Sequence, residues 1–359
     1  MAWALNVTID KRGIMMSESY HKTTETQSIL KLRELLKEFP PFVAEFFRSL
    51  TDYTSARTRL GYAYDLKIFF TYLIEDDSDK SLRSFTISDL ARLGADDIEN
   101  FMEYLTYYIK EETAVQNEAL GKSRKLAAVR TMFKYFYSKG KIAANPAELV
   151  SFPKIRQKTI VALEVDEIAR LLDMVESGEK LTVKQQQYHE RTKTRDVAII
   201  TLLLGTGMRV SECVGLNLTD LDFNVNGAKV TRKGGDEMIL YFGDEVAKAL
   251  LDYITLREES DTKDGHENAL FLSMQNRRIS DRAVQNLVKK YAKVTTLKNI
   301  SPHKLRSTFG TQLYKETQDI YLVANVLGHA DVNTTRKHYA KMDEEHRRRA
   351  ANAVKLRKD

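Results

Sequence analysis

The sequence predicts a mainly α chain of two domains with one small antiparallel β-sheet, and three observations carry that reading. Apolar residues recur at helical spacing through most of the chain, and only five prolines interrupt it. Between Asp222 and Phe242 the period changes, with AKVTR and MILYF reading as strands on either side of KGGDE, where Gly234 and Gly235 supply the turn. A stretch with little periodicity, NPAELVSFPKIRQKTI, holds two prolines and a basic run and separates the two halves.

Taken in order, residues 1–27 read as an N-terminal extension. MAWALNVTIDKRGIMM has no long apolar core before a small-residue cleavage site, so no secretory signal is read, and Met15 and Met16 are alternative starts. A helical domain is expected over 28–152. SILKLRELLKEF is its first helix, ended by Pro40 and Pro41, and FVAEFFRSL is a short second. Thr54 and Ser55 are candidate caps for ARTRLGYAYDLKIFFTYLIE, with Leu60, Tyr64, Ile68 and Leu73 near one face. ADDIENFMEYLTYYIKEE and KSRKLAAVRTMFKYFYSKG follow, the latter stopped by Gly140. The linker is placed at 153–161 and the second domain at 162–340. That domain opens on the amphipathic LEVDEIARLLDMVE, continues through a polar segment at 176–194 read as an inserted loop, and then buries RDVAIITLLLGTG, a helix stopped by Gly205 and Gly207. The last segment, 341–359, reads as an amphipathic tail helix with Ala351, Val354 and Leu356 as its apolar positions.

The chain has 56 Lys+Arg against 50 Asp+Glu, a net charge of +6 and a mean hydropathy of −0.41. That balance permits a nucleic-acid partner without requiring one. Arg57, Arg59, Lys122, Arg124, Lys125, Arg130, Lys154 and Arg156 are the candidate contacts of a DNA-facing surface. Cys213 is the only cysteine, which excludes an internal disulfide, fits a reducing cytoplasmic setting, and in its apolar surroundings reads as a buried structural residue. Cys and His are too few at ligand spacing for a zinc site, so no metal and no cofactor is expected. No stretch reaches the roughly 20 apolar residues of a membrane span.

Four segments place a basic or nucleophilic residue at a structural break. In GTGMRVSE, Arg209 follows a Gly-Thr-Gly stop, Ser211 is a candidate cap for the next helix, and Glu212 is placed to hold the guanidinium. In VTRKGG, Lys233 sits at the lip of the hairpin turn, where an ammonium can donate a proton, and Arg232 beside it is a candidate contact to backbone phosphate. In SPHKLRST, Ser301 caps and Pro302 takes the first helical position, so His303 and Arg306 share a face near the positive end of a helix. In VLGHADVNTTRKHYAK, Gly328 stops a helix, His329 follows, Asp331 is a candidate cap, and Tyr339 lies ten residues beyond the histidine. Each segment alone has a bland explanation. With 17 tyrosines in the chain, Tyr339 alone reads as a half-buried aromatic.

Together, and in this order, GTGMRVSE, the hairpin lysine, HKLRST and LGHADVNTTRKHY resemble the signature of the tyrosine recombinase (phage integrase) family. The resemblance runs from about Tyr53 to Tyr339, and the first half, with TSARTRLGYAYDLKIFFTYL and the Asn145-Pro146-Ala147 turn, is similar to the family's core-binding domain. The leading helix and the polar 176–194 segment look most like the single-protein Xer recombinases. The resemblance implies a C-shaped clamp around duplex DNA, with Arg209 and Arg306 holding the scissile phosphate, Lys233 as general acid, His303 and His329 as the active-site histidines and Tyr339 as nucleophile. It further implies an inverted-repeat site, a dimer per site, a homotetramer at synapsis with the tail helix docked on a neighbouring protomer, and room for a translocase or accessory protein as trigger. Two departures stand out: Ser307 occupies the place where many members carry a second histidine, and the His-to-Tyr spacing is ten, where nine is common and falls here on His338. Resolution of chromosome dimers is the main expectation. A mobile-element integrase, a type IB topoisomerase-like enzyme and a non-catalytic DNA-binding protein are the rivals.

Overall fold

The computed structural model describes residues 20–75, 81–155, 161–232, 235–296, 298–329 and 331–332. The chain divides into two units, Met1–Gln157 and Lys158–Asp359. In the first, the helices are α1 (Tyr20–Leu36), α2 (Pro41–Ser49), α3 (Ala56–Leu73), α4 (Ile87–Arg92) and α5 (Ala95–Tyr104), then a hairpin of β1 (Tyr107–Lys110) and β2 (Thr113–Gln116), then α6 (Ala119–Ser138). Helix α1 begins inside the segment expected to be an extension. Ser55 caps α3 as expected, its hydroxyl accepting from the Thr58 N–H at 3.3 Å.

The core of this unit is aromatic. Phe39, Phe46, Phe69, Phe70, Phe101, Phe133 and Phe136 are fully buried, and Phe69 meets Phe101 edge-to-face at 5.0 Å between centroids. Burial of each ring contributes about 1.5–3 kcal/mol, and the edge-on geometry about 0.5–1.5 more. The buried face of α3 is turned from the expected one: Ala63, Leu66, Phe69 and Phe70 face inward, whereas Tyr64 is exposed. The sequence offers apolar residues almost all round this helix, and packing against α1 and α6 selects among them.

The hairpin is a second departure. ENFMEYL has helical spacing, and the expected helix ran on through TYYIKEE, but the chain turns at Glu111 and Glu112, both with positive φ (47° and 62°). Such a turn is ordinarily announced by Asn-Gly or Asp-Gly. Two glutamates give no such signal, and the pairing of Tyr108 with Val115 and Ile109 with Ala114 is visible only in three dimensions.

The second unit contains α7 (Val165–Ser177), α8 (Val183–Thr206), α9 (Val210–Gly215), the strands β3 (Leu221–Asp222), β4 (Gly227–Thr231) and β5 (Glu237–Tyr241), then α10 (Asp244–Glu258), α11 (Asp281–Thr295), α12 (Pro302–Thr317) and α13 (Ile320–Leu327). The strands form one antiparallel sheet in chain order, with Val230 opposite Met238 and Thr231 opposite Glu237. From Val183 on, the segment expected to be a polar loop is instead the first half of α8. Thr182 and Gln185 form a capping box at its start. Its few inward residues are polar: the buried Tyr291 hydroxyl lies 3.0 Å from His189 Nδ1 and donates to Asp196 at 2.9 Å, and Arg195 and Lys290 pair with the same carboxylate. A helix anchored by a buried polar network has no apolar period to read. Cys213 is fully buried, and burial pushes its thiol well above the usual range. Among the described residues no helix is long and apolar enough to cross a membrane.

Candidate active site

Helix α8 ends at Gly207, whose φ is +63°. A side chain there would be strained and would overlap the Phe309 ring. The turn aims the Gly207 carbonyl at α12, where Arg306 Nη1 donates to it at 2.7 Å. Two residues on, Arg209 is the N-cap of α9, not Ser211, which falls inside the helix. The Arg209 N–H donates to Glu212 Oε2 at 2.7 Å, and its guanidinium Nη1 donates to Oε1 at 2.7 Å. One buried carboxylate thus fixes both the backbone and the side chain of the arginine. The far end of α9 is held by Arg278, which donates to the Val214 and Leu216 carbonyls at 2.9 and 2.7 Å.

Helix α13 supplies the other wall. Asp319 caps its start, accepting from the Tyr321 and Leu322 N–H groups. Val323 and Leu327 pack on Tyr314 of α12. Its end is a Schellman turn: Gly328 has φ +60° and donates to Asn325 O at 2.9 Å, and the His329 N–H donates to Ala324 O at 3.0 Å. This leaves the carbonyls of Val326, Leu327 and Gly328, the negative end of the helix dipole. Each accepts from a different arginine: Val326 O from Arg232 Nη2 at 2.7 Å, Leu327 O from Arg306 Nη2, and Gly328 O from Arg209 Nη2 at 3.0 Å. Three guanidiniums from three separate elements therefore close on the turn that carries His329.

Helix α12 presents His303 in its first turn, exposed, and Arg306 one turn later with 5% exposure. Pro302 occupies the first turn as expected, but Ser301 makes no side-chain cap bond. Ser307, which replaces the family's frequent second histidine, is engaged in its own helix, donating to His303 O at 3.0 Å. Burial pushes the Arg232 guanidinium down, with Glu212 opposing and Arg209 adding to it. An arginine stays charged regardless, so the cluster is a concentrated positive site. Lys233 and Tyr339 lie outside the described residues, as does the tail at 341–359, and Asp331 lies at their edge.

The expected DNA-facing residues separate into groups. Arg57 and Lys154 are exposed. Lys122 donates to Thr106 Oγ1 at 2.5 Å, Arg124 pairs with Asp65, and Arg130 lies over the Phe152 ring at 4.8 Å. Arg59 and Lys125 correct the expectation, because they are buried at 8% and 5% exposure. Arg59 shares the inward face of α3 with Ala63 and Leu66, and Lys125 donates to Asn117 Oδ1 at 2.8 Å inside the unit. Near them Asp65 is fully buried, and burial raises its carboxyl above the usual value against the pull of Arg124 and Lys125. Arg156 lies outside the described residues.

Sequence reasoning missed the end of α13 as the point on which the three arginines converge. Backbone carbonyls carry no residue signature, and the only hint was the Leu-Gly-His stop.

Comparison with known proteins identifies the family. The profile of the phage integrase family matches residues 162–346. Tyrosine recombinase XerC of Caldanaerobacter subterraneus subsp. tengcongensis is 33% identical over 335 residues, covering 90% of this chain and 89% of the relative. Tyrosine recombinase XerS of Lactococcus lactis subsp. cremoris is 29% identical over 344 residues, covering 86% and 93%. The crystal structure of XerH site-specific recombinase bound to difH substrate, in a pre-cleavage complex, superposes with a TM-score of 0.57 at 19% identity, covering 81% of this chain and 79% of that one.

Proposed function

The chain belongs to the phage integrase family and is a tyrosine recombinase, a DNA strand-exchange enzyme; on that premise we propose that it acts as a Xer-type resolvase of chromosome dimers at an inverted-repeat duplex site. The observation that carries the site assignment is the convergence of Arg209 and Arg306, far apart in sequence, on the turn before His329.

Tyr339 attacks phosphorus in line, forming a phosphotyrosyl bond to the 3′ side as the bond to the 5′ oxygen breaks. Its phenol, with an ordinary pKa of about 10, must lose its proton as it attacks, and His303 accepts it. Arg209 and Arg306 hold the nonbridging oxygens, where charge is concentrated in the transition state. Lys233 donates a proton to the leaving 5′ oxygen, and His329 hydrogen-bonds the phosphate. The phosphotyrosine keeps the energy of the original bond, so a second strand's 5′ hydroxyl reverses the step on a new partner. The cations are side chains, and neither ATP nor metal is called for. Arg57, Lys122, Arg124, Arg130 and Lys154 contact the DNA backbone. Two protomers bind each site and four assemble at synapsis.

The test is covalent trapping. The protein is incubated in EDTA with nicked duplexes tiled from DNA flanking its gene and, if needed, with a site selected from random DNA. An adduct that survives SDS and EDTA is expected. Its complete absence even on the selected site would leave a DNA-binding protein without this chemistry. A palindromic site beside the gene supports the Xer assignment, and joining of two unlike sites replaces it with an element integrase.

Glu212 provides a finer check. Glu212→Ala removes the carboxylate that fixes Arg209 at both backbone and guanidinium. Single-turnover cleavage should slow about 100-fold, the usual effect of a misplaced catalytic group, with DNA affinity little changed. Glu212→Gln keeps an acceptor and should lose less.

A further inference from the structure

Arg232 was expected to contact DNA phosphate, yet its side chain reaches into its own protein. Its Nη2 donates to Val326 O at 2.7 Å and its Nη1 to Asn325 O at 3.4 Å, across more than ninety residues of chain. Its Nε is buried from solvent. The guanidinium lies so close over Gly328 that a Cβ there would overlap it. The backbone of the same residue is the base of the hairpin turn: its N–H donates to Asp236 O at 2.7 Å, and its carbonyl accepts from Gly235 N at 3.0 Å. One residue therefore ties the turn between β4 and β5 to the end of α13, and the next residue in the chain is Lys233.

We propose that Arg232 is a positioning residue for the general-acid step, an internal clasp that registers the hairpin lysine against the His329 turn through the carbonyls of Asn325 and Val326. This rests on the recombinase reading above. The chemistry favours a clasp over a phosphate contact. Helix-end carbonyls carry partial negative charge and suit a guanidinium fork with two donors at fixed spacing. Glycine at 328 is needed both for the left-handed turn and to admit the guanidinium. Lys233 follows Arg232 directly in the chain, so whatever fixes the Arg232 backbone bears on the lysine. A proton donor placed there has to be located by a neighbour, and effective general-acid transfer depends on that location.

The experiment compares single-turnover cleavage by wild type, Arg232→Ala, Arg232→Gln and Arg232→Lys on two versions of the trapped site. One carries the normal 5′ oxygen at the scissile bond and the other a 5′ bridging sulfur, a leaving group that departs without a proton. Arg232→Ala should cleave the oxygen substrate about 100-fold more slowly than wild type, as expected for loss of a placed acid. On the sulfur substrate it should come within a few-fold of wild type. DNA affinity and its salt dependence should stay unchanged, and Arg232→Lys should recover part of the oxygen rate. Equal losses on both substrates would overturn the proposal, as would wild-type rates on both. A weaker affinity with a salt slope reduced by about one would return Arg232 to a phosphate contact. Thermal unfolding of each variant identifies misfolding, and Arg232→Gln, which keeps the stem and a neutral donor, carries the comparison if Arg232→Ala unfolds. Failure of wild type to cleave either substrate would refute the recombinase reading itself, whereas normal wild-type cleavage with an indifferent Arg232→Ala refutes only the clasp.

Discussion

Tyr339→Phe is expected to abolish the SDS-resistant protein–DNA adduct while leaving binding to the recombination site intact. The substitution removes one oxygen, the proposed nucleophile, and no general base or arginine clamp can substitute for it. The loss in cleavage rate should be at least about 10⁴-fold, in the range seen when an enzyme's nucleophile is deleted. Gel-shift affinity for the same duplex should remain within about twofold, because a hydroxyl removed from an aromatic ring changes little of an electrostatic interface. His338 and Tyr339 are adjacent, so His338→Ala is the informative companion: the adduct should persist in it. An adduct of normal yield in Tyr339→Phe would place the nucleophile on another tyrosine and end the assignment.

Arg306→Ala should have the second largest effect, for two separable reasons. The guanidinium is nearly buried and bridges Gly207 O at the end of α8 to Leu327 O at the end of α13. Its removal leaves both carbonyls without these donors, which should lower stability by about 3 kcal/mol. Its proposed contact to the nonbridging oxygens adds about 10³-fold in rate, the usual worth of a preorganised donor. Measured together, thermal unfolding and single-turnover cleavage distinguish the two contributions. A purely structural arginine would give a rate loss that tracks the unfolded fraction and disappears on cooling. A phosphate clamp gives a loss that persists at temperatures where the variant is fully folded. Arg306→Lys keeps the charge but cannot span both carbonyls with one ammonium, so it should recover solubility and fold better than rate.

Much of the second unit was legible because its signals are local. Gly207 and Gly328 announce left-handed helix stops, Pro302 announces a helix start, and Glu212 three residues after Arg209 announces a partner for its guanidinium. Each is decided within one turn of chain. The change of period from helix to strand around Arg232 was legible for the same reason, since β4 and β5 pair across a short turn. The order and spacing of these local signals sufficed for the family. The hairpin of β1 and β2 was not legible, because its turn residues are glutamates and its pairing competes with a credible helix. Nor was the first half of α8, where His189, Tyr291 and Asp196 replace an apolar stripe by a network drawn from two helices.

Residue type and short-range spacing were therefore enough for the helical class and for the family. Which cations turn into the protein was decided by the tertiary structure. Arg59 and Lys125 read as DNA contacts until packing turned them inward, and Arg232, read as another, donates to a carbonyl at the end of α13. The physical reason is that a positive side chain will satisfy whichever negative group lies nearest. Phosphates are unseen by the chain alone, and the unpaired carbonyls at a helix end meet an arginine only when the fold brings that end to it.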